Sequence, residues 1–198
     1  MRSDYTRDSL TLSDLDADPI HQLAIWLDDA TDVGEIEPSA MCLATSIEGR
    51  PSCRMVLLRD LDSSGLVFYT NYLSRKGVEL DGNPHAALCF WWRGLERQVR
   101  IEGAVERVPD SDSDAYFASR PRESQVSAMV SPQSQVIANR EELEVAASLV
   151  TEVLRPEHWG GYRLKPEMFE FWQGRAARLH DRFRYSGSPR WVIERLAP

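Results

Sequence analysis

Hydrophobic and polar residues alternate with a period of two over much of this chain, which is the pattern of strands that bury one face. Turn signals separate the runs, at Glu48-Gly49, Asp62–Gly65, Arg93-Gly94 and Ser186–Pro189. The early strands follow one another without helices between them, so the pattern favours antiparallel pairing over a parallel α/β sheet. The predicted strands cover residues 40–47, 52–61, 66–71, 85–92, 96–108, 160–174, 178–185 and 190–198.

Helical signals are fewer, and the clearest follows Asp18. This residue is a good N-cap, and Pro19 stands at the first helical position. Apolar residues then recur at the helical spacing, and Gly34 lies just past the end of the pattern. Further helices are predicted over residues 74–84, near 111–119 and near 140–154.

Together these elements predict a mainly β chain with helices, of the α+β class. Short strands joined by hairpins, with a few helices, are typical of an antiparallel barrel. The polar residues 1–15 are expected to form a mobile arm, and residues 16–198 a single domain.

Composition and charge limit the location and the binding partners that can be expected for this protein. The 198 residues contain no apolar run long enough to span a membrane and no charged-then-apolar leader, so a soluble, cytoplasmic protein is expected. The formal net charge of −8 argues against a nucleic-acid partner, because phosphate-backbone binding needs a basic face. Local basic clusters in an acidic chain indicate small anionic ligands instead.

The three cysteines show no metal-ligand spacing, and no metal site is expected. Cys42, Cys53 and Cys89 all lie in strand-like runs. We therefore expect small, buried hydrophobic residues in a reducing compartment.

The first basic cluster is Ser74–Gly77, where Ser74 is an N-cap candidate and Arg75 and Lys76 fall in the first helical turn. Cations are unfavourable at a helix N-terminus unless an anion is bound there. A phosphate site and two solvated cations explain this motif equally well.

The second cluster is the run YFASRPRESQ, in which Arg120 and Arg122 flank Pro121 and Ser124 adds a hydroxyl. Proline stiffens the loop, and an arginine fork beside a serine suits an oxyanion. Taken alone, the run is also explained by an exposed, arginine-rich helix C-terminus.

The third cluster lies between Phe171 and Tyr185, where four arginines accompany a single aspartate. If residues 178–185 form a strand, Arg178, His180, Arg182 and Arg184 share one face, about 7 Å apart. Such a stripe favours an anionic ligand or a partner subunit, and the histidine could transfer a proton or donate a hydrogen bond.

Read in order, several segments resemble the pyridoxine/pyridoxamine 5′-phosphate oxidase family, and the likeness runs nearly end to end. The resemblance implies an FMN-binding split β-barrel that works as a homodimer, with residues 158–198 contributing to the interface and the active site. It also implies oxidation of either phosphorylated vitamer by O2 to pyridoxal 5′-phosphate, with release of hydrogen peroxide. The matching segments are RMVLLR, VFYTNYLSRKGVEL, LERQVRIEG, YFASRPRESQ, SPQSQVI, HWGGYRL and FWQG followed by RLHDRF.

The resemblance assigns roles to individual residues. Arg178 and His180 would lie over the substrate ring beside the flavin and act in catalysis by orienting and stabilising it. Cofactor contacts would come from Arg54, Met55, Val56, Leu57, Leu58, Tyr69, Thr70, Arg75, Lys76, Gln98, Gln133, Ser134, Trp172 and Arg182. Substrate contacts would come from Arg59, Tyr116, Arg120, Ser124, Arg178, His180, Arg2 and Tyr5.

One residue departs from the pattern of this family, and alternative functions therefore stay open. Position 59 is arginine where the family usually has lysine, and the forked guanidinium is not equivalent at a tight contact. A phenazine-biosynthesis-type flavin oxidase would share the scaffold, but its unphosphorylated substrate would leave Arg120 and Ser124 without a phosphate. A non-catalytic flavin- or pyridoxal-phosphate-binding protein is the third reading.

Overall fold

A computed structural model describes residues 5–198, and within them nine strands form one antiparallel sheet. The strands match the predicted alternation closely, and two predicted runs, 40–47 and 85–92, agree to the residue. The strands are β1 (Ala40–Ile47), β2 (Arg50–Leu57), β3 (Asp60–Asp62), β4 (Gly65–Asn71), β5 (His85–Trp92), β6 (Arg97–Arg107), β7 (Trp159–Gln173), β8 (Asp181–Ser186) and β9 (Val192–Leu196).

The sheet curls into a barrel because residues 50–62 pair with strands at both ends of the sheet. The strand order is β2-β1-β5-β6-β7-β4-β3, with β8 and β9 added beside β7. Leu58, just after β2, still donates its backbone N–H to Ser39 before β1, at 2.9 Å. The next residue, Arg59, donates instead to Val67 on β4, also at 2.9 Å. Residues 50–62 thus cross from one end of the sheet to the other and bring β2 next to β4.

The core fills the barrel with alternate side chains of these strands. Phe90, Phe169 and Phe171 are fully buried, and strand alternation points their immediate neighbours to the opposite face of the sheet. The first helix covers this core with Trp26, whose ring centroid lies 5.0 Å from that of Phe171 in an edge-to-face contact.

Five helices lie within the described residues. The first starts as predicted, since the Asp18 side chain accepts a hydrogen bond from the Ile20 N–H at 2.9 Å. The fifth is shorter than predicted and ends at Ser148. The helices are α1 (Pro19–Asp32), α2 (Arg75–Gly82), α3 (Asp110–Ser119), α4 (Arg122–Val130) and α5 (Glu141–Ser148).

Helix α4 was not predicted, because the run around Pro121 was interpreted as a stiff loop. Pro121 lies immediately before the helix, where its fixed φ suits a helix start and no N–H is required. Its carbonyl accepts hydrogen bonds from the N–H groups of Ser124 and Gln125, so Ser124 sits in the first helical turn.

The predicted strand over residues 178–185 is wrong in its first half, and the four-residue basic stripe is therefore wrong too. The chain must reverse between β7 and β8, and it does so through a short 3-10 turn at residues 176–178. Ala177 and Arg178 both have positive φ, at 55° and 63°, which no strand accommodates. Only Arg182 and Arg184 lie on β8, where they alternate with buried aromatic residues.

A further expectation, that the three cysteines are buried, differs from the structure. Cys53 is exposed on β2, and Cys42 and Cys89 are half-buried, because β1, β2 and β5 leave one face uncovered in the single chain. Residues 5–15, from the segment expected to be a mobile arm, lie against the domain, where Leu10 is buried and its N–H donates to Asp181 at 3.1 Å. No helix in residues 5–198 is both long and apolar enough to cross a bilayer.

Candidate active site

A cavity of about 520 Å³ opens where β2 meets β4, and α3 and α4 close its other side. It brings together most of the residues that the sequence assigned to cofactor and substrate. Among residues 5–198, four cations and no carboxylate line it, although the net charge of the chain is −8. The predicted residues in its wall are Arg54, Met55, Val56, Leu57, Arg59, Tyr69, Thr70, Lys76, Tyr116, Arg120, Ser124 and Gln133.

Lys76 is a buried ammonium that contacts no carboxylate of the described residues. Its Nζ donates to Gln133 Oε1 at 2.8 Å, to Thr70 Oγ1 at 3.0 Å and to Ser74 Oγ at 3.2 Å. Burial, together with the charge of Arg54, lowers the pKa of Lys76 to about 8. A cation held only by neutral acceptors at the wall of a cavity indicates an anionic ligand there.

The neighbouring Arg54 is held by Glu79, a buried residue of α2 that the sequence reading missed. Arg54 Nη2 lies 3.0 Å from Glu79 Oε2, and Arg75 Nε lies 2.9 Å from Oε1. Burial would raise the pKa of Glu79, but donors from Ser52, Thr45 and both arginines outweigh it and lower the pKa to about 2. The (i, i+4) spacing of Arg75 and Glu79 was the available signal for this residue.

A second basic centre lies around Arg120. Its guanidinium stacks over Trp159, with Cζ 4.6 Å from the ring centroid. Nη1 is buried and has no hydrogen-bond partner within residues 5–198. Burial, and the nearby charge of Arg59, lower the pKa of Arg120. An unpartnered donor in such a place is costly unless a ligand accepts from it.

Aromatic rings form the wall between these centres and α3. Tyr69 stacks on Tyr116 with ring centroids 3.9 Å apart, and on Trp159 at 5.6 Å. Burial raises the pKa of Tyr69, so this phenol remains neutral. Trp159 was not predicted as a site residue, and its place follows from β7 pairing with β4, which no local motif reveals.

Five of the remaining predicted residues form a second group that does not line this cavity. Gln98, Trp172 and Arg182 are directly opposite one another on β6, β7 and β8. The His180 ring lies 4.6 Å from Trp172, and the Tyr5 ring lies 5.8 Å from His180.

The hydrogen bonds of this second group fix two of its side chains. His180 Nδ1 accepts the Arg175 N–H at 3.1 Å, an arrangement that selects the tautomer with its hydrogen on Nε2. Arg182 Nε donates to Glu170 Oε1 at 2.9 Å, and this bond raises the pKa of the guanidinium.

Four predicted residues lie elsewhere in the chain. Arg75 points outward and lines, with Ser134, an adjoining depression of about 500 Å³ that also includes Gln133. Leu58 is buried in the core, and Arg178 is exposed in the turn before β8. Arg2 lies outside the described residues.

Two family models match the chain. The model described as pyridoxamine 5′-phosphate oxidase matches residues 28–154, and the one described as the pyridoxine 5′-phosphate oxidase C-terminal dimerisation region matches residues 159–198. Among curated relatives, the pyridoxine/pyridoxamine 5′-phosphate oxidases of Methylibium petroleiphilum and Salinibacter ruber are 52% and 51% identical. Each alignment covers 100% of this chain and 97% of the relative.

Solved structures share the fold of this chain. PhzG from Burkholderia lata, in complex with tetrahydrophenazine-1-carboxylic acid, superposes with a TM-score of 0.90 at 33% identity, covering 96% of this chain and 98% of that one. A pyridoxamine 5′-phosphate oxidase-related, FMN-binding protein from Nostoc punctiforme superposes with a TM-score of 0.75 at 16% identity, covering 93% and 100%. The second supports the split-barrel fold alone. From the two family models and the full-length identity to its relatives, the chain belongs to the pyridoxamine 5′-phosphate oxidase family, a family of oxidoreductases.

Proposed function

We propose that this chain is an FMN-dependent oxidase that converts pyridoxine 5′-phosphate and pyridoxamine 5′-phosphate to pyridoxal 5′-phosphate in the cytoplasm. The observation that carries the proposal is a cavity with two cationic centres that lack carboxylate partners on the ligand side. Lys76 is a buried ammonium held by neutral acceptors, and Arg120 has a buried donor with no partner in residues 5–198. Two centres of this kind suit two phosphates, one on the flavin and one on the substrate.

The residues around Lys76 fit the flavin phosphate. Lys76 offers the ammonium, and Arg54 offers a guanidinium fixed by Glu79. The β2 segment from Met55 to Leu57 and Tyr69 on β4 offer the flat, partly apolar wall that a flavin ring needs. When bound, FMN supplies the two-electron oxidation and passes the electrons to O2.

The residues around Arg120 fit the substrate phosphate. Arg120 and Arg59 supply positive charge, while Tyr116 and Ser124 supply hydroxyl groups to the lining of the same cavity. Trp159 fixes the guanidinium plane, so little conformational entropy is lost on binding. These side chains bind and orient the vitamer, and the aromatic wall of Tyr69 and Tyr116 excludes water from one side.

The second group of predicted residues is explained by a homodimer. Its members lie mostly within residues 159–198, the part that matches the dimerisation region, and they do not line the cavity of their own chain. We infer that one subunit's Trp172, His180 and Arg182 complete the cavity of the other. His180 Nε2 would then donate to the substrate ring, and Arg178 would orient it. Tyr5 packs against His180 and would cover the substrate from the same side.

The overall reaction balances without a further redox partner. Pyridoxine 5′-phosphate and O2 give pyridoxal 5′-phosphate and H2O2. The amine vitamer consumes one water as well and releases ammonia. The proposal includes no metal, nucleic-acid or membrane partner.

A second candidate function deserves a test because of the PhzG similarity and because Arg59 stands in place of the usual lysine. A phenazine-type oxidase would act on an unphosphorylated ring. The basic centre at Arg120 and Ser124 argues against it, since such a substrate would leave these side chains without a phosphate.

The test is peroxide and pyridoxal-phosphate formation by FMN-loaded protein in air. Each phosphorylated vitamer is compared with unphosphorylated pyridoxine at equal concentration. We expect rapid turnover of the phosphorylated compounds and little of the other. Equal turnover of both would favour the phenazine-type reading, and flavin binding without any product would favour a non-catalytic carrier.

A further inference from the structure

We propose that Glu79 is a positioning residue for the flavin phosphate: it fixes Arg54 at the cavity wall and supplies the negative charge that balances Arg54 beside Lys76. This inference rests on the proposed binding of FMN.

The contacts of Glu79 carry the inference. Its side chain is buried and accepts hydrogen bonds from three elements of the fold. Thr45 Oγ1 on β1 and Ser52 Oγ on β2 both donate to Oε2 at 2.6 Å. Arg54 on β2 donates to the same oxygen, and Arg75 of α2 donates to the other. A carboxylate with this many donors is rigidly held and ionised at neutral pH.

Arg54 depends on this carboxylate for its position. The Arg54 guanidinium also donates to Leu43 O at 3.3 Å and to the hydroxyls of Thr45 and Ser52. Those two hydroxyls in turn donate to Glu79, so every side-chain contact of Arg54 except one runs through the same network. Without the carboxylate, the guanidinium would lose its only anionic partner within the described residues and the hydroxyls would lose their orientation.

Glu79 also acts on Lys76 through charge. Arg54 lowers the pKa of Lys76, whereas Glu79 raises it. Residues three apart on a helix are neighbours, at roughly 5–6 Å between Cβ atoms. Neutralising Glu79 would therefore leave two adjacent cations unbalanced, and Lys76 would lose its proton at lower pH than before.

The experiment measures FMN affinity of the apoprotein between pH 7 and 9 by flavin fluorescence quenching, for wild type, E79Q and E79D. This range avoids the titration of the flavin phosphate, whose second pKa is about 6. Riboflavin, which lacks the phosphate, reports pH effects that do not involve Lys76. The matched control is E144Q, which removes an Arg140–Glu144 pair with the same (i, i+4) spacing on α5, away from the cavity.

We expect wild-type affinity to fall with a midpoint near pH 8, following Lys76. E79Q should bind FMN about tenfold or more weakly at pH 7 and shift the midpoint down by about half a pH unit. E79D keeps the charge but reaches less far, so its affinity should fall while its midpoint stays near that of wild type. E144Q should match wild type in both quantities.

Two outcomes would overturn the inference. An E79Q protein with the wild-type midpoint would show that Glu79 does not act on Lys76, even if its affinity were reduced. If E79Q fails to fold, the E79D midpoint decides, and a downward shift in E79D would contradict the account. A wild-type protein that does not bind FMN would instead refute the proposed function, so the two failures are distinguishable.

Discussion

Replacing Lys76 with methionine tests the cationic centre at the flavin end of the cavity. Methionine has nearly the same length but no charge, so the substitution removes the ammonium and leaves the volume filled. The buried Nζ of wild type makes hydrogen bonds to Gln133, Thr70 and Ser74 but contacts no carboxylate in the part of the chain that the structure describes. We therefore expect K76M to weaken ligand binding without destabilising the apoprotein.

The magnitudes follow from the charge and its burial. A hydrogen bond to a charged group contributes about 1.5–3 kcal/mol, so K76M should weaken FMN binding by roughly 10- to 150-fold. The pKa of Lys76 falls from 10.5 to about 8, and at 1.36 kcal/mol per unit this corresponds to about 3 kcal/mol of unfavourable burial at neutral pH. The apoprotein of K76M should thus be as stable as wild type or more stable.

The lowered pKa of Lys76 also determines the direction in which the free energy of unfolding changes with pH. Because the folded pKa lies below the unfolded one, the unfolded chain binds more protons between pH 8 and 10.5. The stability of wild type relative to K76M should therefore rise as pH increases through that window, and it should be constant below about pH 7.

The assay is urea unfolding of both apoproteins from pH 6.5 to 10, together with FMN titration at pH 7. The control is K165M, which alters the chain's other lysine, exposed and paired with Glu106 at 2.6 Å. An exposed ion pair contributes about 0–1 kcal/mol, so K165M should change neither measurement appreciably. Unchanged FMN affinity in K76M, or an apoprotein several kcal/mol less stable than wild type, would refute the reasoning.

Three further predictions concern the same cavity. R120Q should raise the KM for phosphorylated vitamers by roughly 10- to 100-fold, as initial rates would show. R122Q should not, because the Arg122 side chain does not line this cavity and donates a hydrogen bond to the Val150 carbonyl instead. An unchanged KM in R120Q would place the substrate phosphate elsewhere. G161A puts a Cβ 2.8 Å from the Tyr69 ring and should therefore lower the melting temperature by roughly 2–10 °C. A melting curve identical to that of wild type would contradict this prediction. At pH 8, FMN binding should be accompanied by uptake of about half a proton, because Lys76 regains its charge. Calorimetry in two buffers of different ionisation enthalpy measures this uptake, and its absence would contradict the lowered pKa of Lys76.

The sequence predicted the strands well, because each buries one face and so shows a period of two. It also predicted the start of α2, because Ser74 is a helix N-cap and such caps can be recognised from the local sequence. It could not show that Lys76 turns inward and Arg75 outward. That difference depends on Thr70 and Gln133, which approach from distant parts of the chain.

The errors have physical causes as well. Around Leu179, apolar and polar residues continue the alternation of the neighbouring strands, but the chain needs a turn there to reverse direction. Helix α4 was missed because Pro121 was interpreted as a loop residue, although it also suits a helix start. Glu79 carries no motif of its own, and its role appears only when β1, β2 and α2 are packed together.

The central claim is that the cavity holds a flavin which the phosphorylated vitamers reduce. The most direct measurement is the visible absorbance of FMN-loaded protein, mixed with pyridoxine 5′-phosphate in the absence of O2. We predict that the flavin bleaches in a single turnover, yields one equivalent of pyridoxal 5′-phosphate, and recovers its colour with release of peroxide when air is admitted. Bound flavin that stays oxidised with both phosphorylated vitamers would contradict the account.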